Sequence, residues 1–285
     1  LSTVGSFAGT LLPVFVTIPR YGTSRSFVLF GGLLILISFL GTAIFCKSPA
    51  RWLTGLLILA PGLLFLFFPS GIKNTPGQLY EKESAYNYIE ILDDGGYTVL
   101  RLNEGQAIQS IYHPDVENYY GPWEQVLSAP FFNQPPVEPG TVRSAAILGL
   151  AGGTSARQLI QVFPNIEIDG YEIDPEIISA AKKYMALPDQ RITIHLDDGR
   201  TGLIRSSKKY DIIMADAYRP PYISQNMSTV SFFEIAASKL SGNGILVMNV
   251  GRTENNRSLI ESIVSTAHQV FPSVYIVDLP DTFNS

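Results

Sequence analysis

The sequence predicts a two-part protein, in which apolar helices precede an α/β region built on a doubly wound parallel sheet. Two long uncharged runs lie within the first 70 residues. Beyond residue 140, strand-like apolar runs alternate with helix-period segments, a pattern typical of a parallel sheet with helices on both faces. The charge follows the same division, because residues 1–80 carry five basic and no acidic side chains, whereas the other 205 carry 15 basic and 25 acidic ones.

The composition argues against a wholly soluble protein and against a nucleic-acid binder. Charged residues make up 16% of the 285-residue chain, whereas about a quarter is usual in soluble domains. The second part has a net charge of 15 − 25 = −10, which repels a phosphate backbone and suits cationic or neutral small molecules. The single cysteine, Cys46, excludes an intramolecular disulfide framework and a cysteine-rich metal site.

Three segments within residues 1–70 are candidates for transmembrane helices. The runs 27–45 and 52–68 contain 19 and 17 uncharged residues, and about 17–25 apolar residues span a bilayer core as a helix. A weaker candidate covers residues 3–18. We therefore expect a multi-pass membrane part in contact with lipid, and a soluble part in the cytoplasm. The alternative is a buried helical hairpin of a soluble protein.

A linker and a small antiparallel β domain are predicted over residues 71–140. Alternating residues at Tyr86–Leu92 are followed by the turn sequence Asp93–Gly96 and by a returning strand at Tyr97–Leu102. A third strand is predicted at Gln106–Tyr112.

The α/β region is predicted over residues 141–285, and the chain opens on Leu1 and stops soon after the last predicted strand, so we expect further sequence at both ends. Ligands bind such sheets outside the carboxyl ends of the strands. The predicted strands are Ala145–Leu150, Ile166–Glu172, Ile192–Leu196, Tyr210–Asp216, Ile245–Val250 and Val274–Leu279. The predicted helices are Thr154–Phe163, Pro175–Ala186, Val230–Leu240 and Glu254–Val270.

The ends of the first two strands indicate a nucleoside site. The first strand runs into the small-residue loop Gly149–Gly153, which lets a ligand approach the backbone and the amino end of the next helix. Glu172 ends the second strand 20 residues after Gly152, where a carboxylate can accept hydrogen bonds from a ribose diol. The alternatives are an ordinary tight turn and a solvated acid.

Acidic residues at two further strand ends point to the same edge. Asp198, followed by Gly199, can accept the exocyclic amine of adenine, and Asp216 ends the fourth strand. Asp211 begins a strand and is expected to be a surface or structural residue. His195 lies in a strand and is expected to pack, and the three histidines lack metal-ligand spacing, so no metal is predicted.

Short stretches along the chain match a known family pattern in residue type and order. They are Ser84–Asn87, Gln109, Tyr171–Asp174, Asp198–Gly199 and Tyr210–Asp216. They resemble the polyamine aminopropyltransferases, spermidine synthase and its relatives, over about residues 80–285. The resemblance implies a class I methyltransferase-like Rossmann fold preceded by a small amino-terminal β domain. The stretch Ile18–Thr23 is similar to the helices of the membrane-fused members found in some bacteria and archaea.

The resemblance implies a transferase that moves an aminopropyl group from decarboxylated S-adenosylmethionine to a small-molecule amine, with no metal and with a homodimer as the expected assembly. Glu172 would hold the ribose, Asp198 the adenine, and Asp216 would take the amine proton. Further donor-binding residues would be Gly149, Ala151, Gly152, Gly153, Gly199 and Gln109. Acceptor-binding residues would be Tyr86, Tyr218, Arg219 and Tyr222, although packing is an equal interpretation of the tyrosines.

Two departures from the family pattern leave other functions open. Gly152 stands where the family has an acid facing the aminopropyl arm, and Arg219 stands where a second acid holds the amine. An arginine at that position repels a cationic acceptor, by on the order of a kcal/mol or more. The alternatives are a methyltransferase using ordinary S-adenosylmethionine and a membrane sensor that binds an adenosyl ligand without turnover. A purely structural domain is the third possibility.

Overall fold

The computed structural model divides the chain into two compact units, Leu1–Glu90 and Ile91–Ser285. The predicted span 52–68 and the predicted acceptor-binding residues Tyr218, Arg219 and Tyr222 lie outside the residues that the structure describes. The described residues are 2–45, 72–103, 107–187, 189–217, 224–251 and 255–278.

The first unit begins with apolar helices where they are predicted. Helix α1 (Ser2–Leu12) continues through a π-helical turn at Pro13–Thr17 into α2 (Ile18–Tyr21). Gly22 then adopts a φ of +81°, which ends the helix because this backbone conformation strains other residues. Helix α3 (Thr23–Phe45) begins four residues before the predicted run.

Helix α3 is, within the described ranges, the one helix long and apolar enough to cross a membrane. Its segment Thr23–Gly41 has a mean hydropathy of 1.8, and 6% of it is buried, with Phe27, Leu34 and Ile37 among its exposed side chains. Length and composition are the criteria that it meets, and signal sequences share them. The Glu83 carboxylate accepts a hydrogen bond from the Thr23 backbone N–H, an otherwise unpaired donor in the first turn.

Four short strands follow the apolar helices. They are β1 (Gln78–Glu83), β2 (Tyr88–Asp94), β3 (Tyr97–Leu102) and β4 (Ile108–Tyr112). The predicted turn between β2 and β3 is present, with the Gly96 N–H donating to Asp93 Oδ1 over 2.9 Å. Strands β3 and β4 pair antiparallel, as predicted. The sequence prediction missed β1.

The second unit contains the parallel sheet, which confirms the Rossmann-like fold. Its five strands lie in the order β7-β6-β5-β8-β9, and every adjacent pair is parallel. The strands are β5 (Ser144–Leu148), β6 (Glu167–Tyr171), β7 (Ile192–His195), β8 (Tyr210–Ala215) and β9 (Leu240–Met248). The helices are α4 (Pro122–Ser128), α5 (Thr154–Val162), α6 (Pro175–Tyr184), α7 (Gly199–Arg205), α8 (Val230–Lys239) and α9 (Ser258–Ala267).

The sequence prediction for this unit includes one strand that is absent from the described residues and omits two short helices. The predicted strand Val274–Leu279 is absent over its described residues 274–278, although the run is apolar, because a strand also needs a paired neighbour. Helices α4 and α7 were missed because each has seven residues, too few for a clear helical period.

The core lies on both faces of the sheet, with Ile147 and Phe163 on one side and Leu148 and Phe232 on the other.

A buried polar network lies within the core on the side of the sheet that contains Leu148 and Phe232. Asp169, in the middle of β6, accepts hydrogen bonds from Lys208 Nζ at 2.7 Å and Tyr210 Oη at 2.9 Å, and its other oxygen lies 2.9 Å from His195 Nε2. The His195 ring stacks on Tyr171, which agrees with a packing role. Burial raises the pKa of Asp169, but these three hydrogen bonds outweigh it and hold the pKa below its usual range.

We expect Asp169→Asn to lower the free energy of unfolding by about 3 kcal/mol at neutral pH, because Lys208 and Tyr210 lose a charged hydrogen-bond acceptor, and a hydrogen bond to a charged group contributes about 1.5–3 kcal/mol. Since the native pKa of Asp169 is depressed, its stabilisation is present above about pH 4 and is lost as the pH falls through the native value. Urea unfolding across pH 2–7 checks this, with the exposed Asp115→Asn as control. An unchanged acid limb in Asp169→Asn would contradict the interpretation.

Candidate active site

The predicted glycine loop joins β5 to α5 at the carboxyl edge of the sheet. The N–H groups of Gly149 and Leu150 both donate to the Tyr171 carbonyl over 2.9 Å, which ties the loop to the end of β6. Gly149 has a φ of +99°, and a Cβ atom there would lie 2.7 Å from the Asp216 carbonyl oxygen. Only glycine therefore lets the loop approach the end of β8 this closely.

Glu172 connects the glycine loop to the start of α6. One carboxylate oxygen accepts from the Ala151 N–H and the other from the Asp174 N–H, each over 3.0 Å. The side chain is buried, and burial raises its pKa. Because a carboxylate has about four acceptor positions, these two backbone bonds leave capacity for a ribose diol.

Asp216 directly follows β8 on the same edge. Its N–H donates to the Leu148 carbonyl over 2.9 Å, and its Oδ1 accepts from Asn249 Nδ2 over 3.1 Å. Burial raises the pKa of Asp216 to about 7, with the Asn249 hydrogen bond acting in the opposite direction. A carboxyl group that titrates near neutrality is suited to accepting a proton from a reacting group.

Asp198 caps a helix, a structural role in addition to the adenine contact that is predicted for it. Its Oδ1 accepts from the Thr201 N–H over 2.9 Å, so that Asp198 is the N-cap of the unpredicted helix α7. Gly199 is buried against Leu148, where a Cβ would lie 2.8 Å from the Leu148 Cβ. The predicted adenine contact of Asp198 stays a prediction, and the cap fixes the orientation of the carboxylate.

Strand β4 contributes residues that the sequence analysis did not select. The Ser110 hydroxyl accepts from the Gly152 N–H over 2.9 Å, and Thr154 Oγ1 both accepts from and donates to the backbone of Ile111. The predicted ligand residue Gln109 is the extra residue of a β-bulge, because the pairing passes from Leu100–Ser110 to Arg101–Ile108. Bulges often occur beside active sites.

Gly152 is enclosed on both sides. A Cβ atom there would lie 2.6 Å from Met185 Sδ and 2.7 Å from the Ser110 Cβ. The acid that the family pattern has at this position therefore does not fit without movement of β4 or of the end of α6. The loop offers a neutral surface here.

The remaining predicted residues fall into three groups. Gly153 is the N-cap of α5 with a φ of +78°, and Ala151 has a φ of +47°. Tyr86 lies in the turn between β1 and β2, where it is exposed. Asp211 holds the start of β5 through hydrogen bonds from the Arg143 and Ser144 N–H groups, as expected of a structural residue.

The arrangement suits a nucleoside ligand beside a proton acceptor. The glycine loop contacts both Glu172 and the end of β8, so that the Glu172 carboxylate and Asp216 flank the same loop of small residues. Asn249 was missed by the sequence analysis because its role depends on the order of β8 and β9 in the sheet. Among the described residues, no group of three or more histidine, cysteine, aspartate or glutamate side chains is arranged so that it could hold a metal ion.

Comparison with known proteins gives a consistent family match. Residues 129–283 match the spermine/spermidine synthase domain. A probable polyamine aminopropyl transferase from Bifidobacterium longum is 34% identical over 208 residues, which are 72% of this chain and 45% of the relative. A polyamine aminopropyltransferase from Vibrio vulnificus is 26% identical, over 71% of this chain and 68% of the relative. The chain thus spans under half the length of the Bifidobacterium protein.

Solved structures agree in fold. A probable spermidine synthase from Corynebacterium glutamicum superposes with a TM-score of 0.57 at 21% identity, over 70% of this chain and 72% of the other. A spermidine synthase in complex with the transition-state analogue AdoDATO superposes with a TM-score of 0.54 at 17% identity, over 69% of this chain and 64% of the other. At these levels of identity, the superpositions show that the chains share a fold.

Proposed function

Because the chain belongs to the spermine/spermidine synthase family, whose domain it matches over residues 129–283, we propose that it is an aminopropyltransferase. The donor is decarboxylated S-adenosylmethionine and the acceptor is a small-molecule amine. The observation that carries the proposal is Asp216, a carboxyl group with its pKa raised to about 7 and packed against the glycine loop.

The donor site is assembled from three strand ends. Glu172, fixed by two backbone N–H groups, holds the ribose diol, and Asp198, oriented by the cap of α7, accepts the adenine amine. The glycine loop brings the backbone close to the sulfonium side. A spermidine synthase of the same fold has been solved in complex with the transition-state analogue AdoDATO, which supports an adenosyl ligand for this chain.

Asp216 serves the acceptor. The donor's sulfonium supplies an activated methylene carbon, to which the amine nitrogen bonds as the carbon–sulfur bond breaks and methylthioadenosine leaves. Asp216 accepts the proton that the amine loses, while Asn249 holds one of its oxygens and leaves the other for the amine. Positioning and proton removal are then the contributions of this chain to the rate.

We propose that the apolar amino-terminal part anchors this transferase at a membrane. Helix α3 is exposed along most of its length and has arginines near its amino end, at Arg20 and Arg25. The uncharged run 52–68 in the sequence is long enough to support a multi-pass anchor in contact with lipid. A cytoplasmic soluble part and a homodimer belong to the same proposal.

A methyltransferase is the second candidate, and the surroundings of Gly152 favour it. With Ser110 and Met185 closing this position, the loop has no carboxylate here for the ammonium group of a decarboxylated arm. Ordinary S-adenosylmethionine has the same ammonium group, but the carboxylate beside it offsets that charge and can be bound by an arginine in bidentate fashion. Arg219, three residues after Asp216, is the candidate partner.

Mass spectrometry of the nucleoside product separates the two functions. The protein is incubated with ordinary or decarboxylated S-adenosylmethionine and a mixture of amines. Methylthioadenosine that requires both amine and decarboxylated donor would support aminopropyl transfer, and the heavier amine would identify the acceptor. S-adenosylhomocysteine would move the protein to the methyltransferases. Ligand binding without either product would favour the sensor.

A further inference from the structure

Arg157, in the second turn of α5, places its guanidinium group directly behind the glycine loop. One terminal nitrogen donates to the carbonyls of Gly152 and Met185, each over 2.9 Å. The other donates to the Ile111 carbonyl over 3.1 Å and lies 3.4 Å from Thr154 Oγ1. One side chain thus joins the ligand loop, the residue that ends α6, and strand β4.

The charge of Arg157 has no carboxylate partner in the part of the chain that the structure describes. The group is largely buried, and burial lowers its pKa to about 10, so that it stays cationic at neutral pH. The Tyr112 ring, with its centroid 5.1 Å from the guanidinium carbon, supplies a cation–π contact. Burying a charge without an ion pair is costly, so the carbonyl contacts must offset that cost.

We propose that Arg157 is a positioning residue that clamps the ligand loop. Its guanidinium group holds the Gly152 carbonyl, in the peptide group that leads to Gly153, while the Ser110 hydroxyl holds the Gly152 N–H, in the peptide group that follows Ala151. With both peptide groups of Gly152 held, Ala151 and Gly153 are presented to a ligand in one orientation. Adenosyl-ligand affinity therefore depends on a residue that faces away from the ligand.

The clamp depends on the planar, forked shape of the Arg157 guanidinium group as well as on its charge. Three carbonyls from three separate elements surround two terminal nitrogens, each of which carries two N–H donors. The ammonium group of a lysine is a single point with a shorter reach, and it cannot occupy both nitrogen positions. Lysine at this position therefore keeps the charge but loses part of the clamp.

The test compares Arg157→Gln and Arg157→Lys with a matched control, Arg191→Gln, in the full chain. Arg191 also donates to a backbone carbonyl of α5, that of Ile160, but at a point away from the glycine loop. Two quantities are measured: the Kd of 5′-methylthioadenosine by calorimetry, and amide hydrogen exchange of segments 149–153 and 108–112 without ligand. Thermal unfolding reports the general loss of stability for all three variants.

We expect both Arg157 variants to weaken 5′-methylthioadenosine binding by about tenfold or more, as misplacement of a binding loop does. Exchange should accelerate in both segments. Arg191→Gln should lower the unfolding temperature while leaving Kd and loop exchange unchanged. A Kd and loop exchange that stay at wild-type values in Arg157→Gln would overturn the proposal, and wild-type behaviour of Arg157→Lys would overturn the role of the fork.

The ligand measurement rests on the proposed function, whereas the exchange measurement does not. If the wild-type chain fails to bind 5′-methylthioadenosine, the adenosyl-ligand site fails. The exchange comparison between Arg157→Gln and Arg191→Gln still decides whether Arg157 clamps the loop.

Discussion

Replacing Asp216 by asparagine should abolish group transfer while leaving the affinity for 5′-methylthioadenosine within about twofold of wild type. The substitution keeps the shape and the contact with Asn249, but it removes the carboxylate that we propose as the proton acceptor at the end of β8. Loss of a general base costs about 10²–10⁴-fold in rate. Steady-state kinetics and calorimetry measure the two effects separately.

The proposed role of Asp216 as the proton acceptor also predicts how the transfer rate depends on pH. Burial raises the pKa of Asp216 to about 7, so the carboxylate that accepts a proton forms as the pH rises through neutrality. The rate of transfer should therefore rise with pH up to about 8 and then level off. The rising limb of this pH–rate profile should be absent from the residual activity of Asp216→Asn. A variant that keeps most of its activity, or keeps the limb, would show that another group is the base.

Asn249→Ala provides a control in which the base is retained. Its side-chain hydrogen bond lowers the pKa of Asp216, since it stabilises the charged form. Removing the bond should move the rising limb to higher pH, while the rate on the plateau changes less. If the limb stays in place, Asn249 does not act on Asp216.

The sequence predicted the parts of this protein that follow from local pattern. The alternation of strands and helices predicted the parallel sheet, and the small residues and acids after the strands predicted which edge to examine. Gly149, Glu172 and Asp216 lie together because the carboxyl ends of parallel strands share one edge of a sheet. That geometric rule needs only the strand assignments, so a single sequence suffices for it.

The residues that the sequence did not reveal act through contacts between distant segments. Ser110 and Gly152 are 42 positions apart, and Asn249 and Asp216 are 33 apart. Neither Ser110 nor Asn249 belongs to a local motif, and Arg157 resembles any helix arginine until its carbonyl partners are known. The helix cap at Asp198 was missed for a related reason, because the seven-residue helix that it begins has no readable period.

The second large effect is expected for Gly149→Ala, and it tests whether the close approach of the loop to β8 matters. Alanine at a φ of +99° is strained by about 1–2 kcal/mol. In addition, its Cβ would lie 2.7 Å from the Asp216 carbonyl oxygen and 2.9 Å from the Ala217 backbone. Backbone atoms yield less easily than the end of a flexible side chain, so the end of β8 must move and carry Asp216 with it.

Gly96→Ala is the matched control, because it imposes nearly the same strain without the collision. Gly96 has a φ of +93°, and the nearest atom to its Cβ position is His113 Nε2 at 3.7 Å. We expect Gly149→Ala to lose about 2 kcal/mol more stability than Gly96→Ala, the size of an overpacking penalty, and about 100-fold or more in transfer rate, as misplaced reacting groups do. Urea unfolding and product formation measure the two differences. Equal losses in both variants would mean that the strand end tolerates a side chain at Gly149, and the geometry that joins the loop to Asp216 would then not limit the reaction.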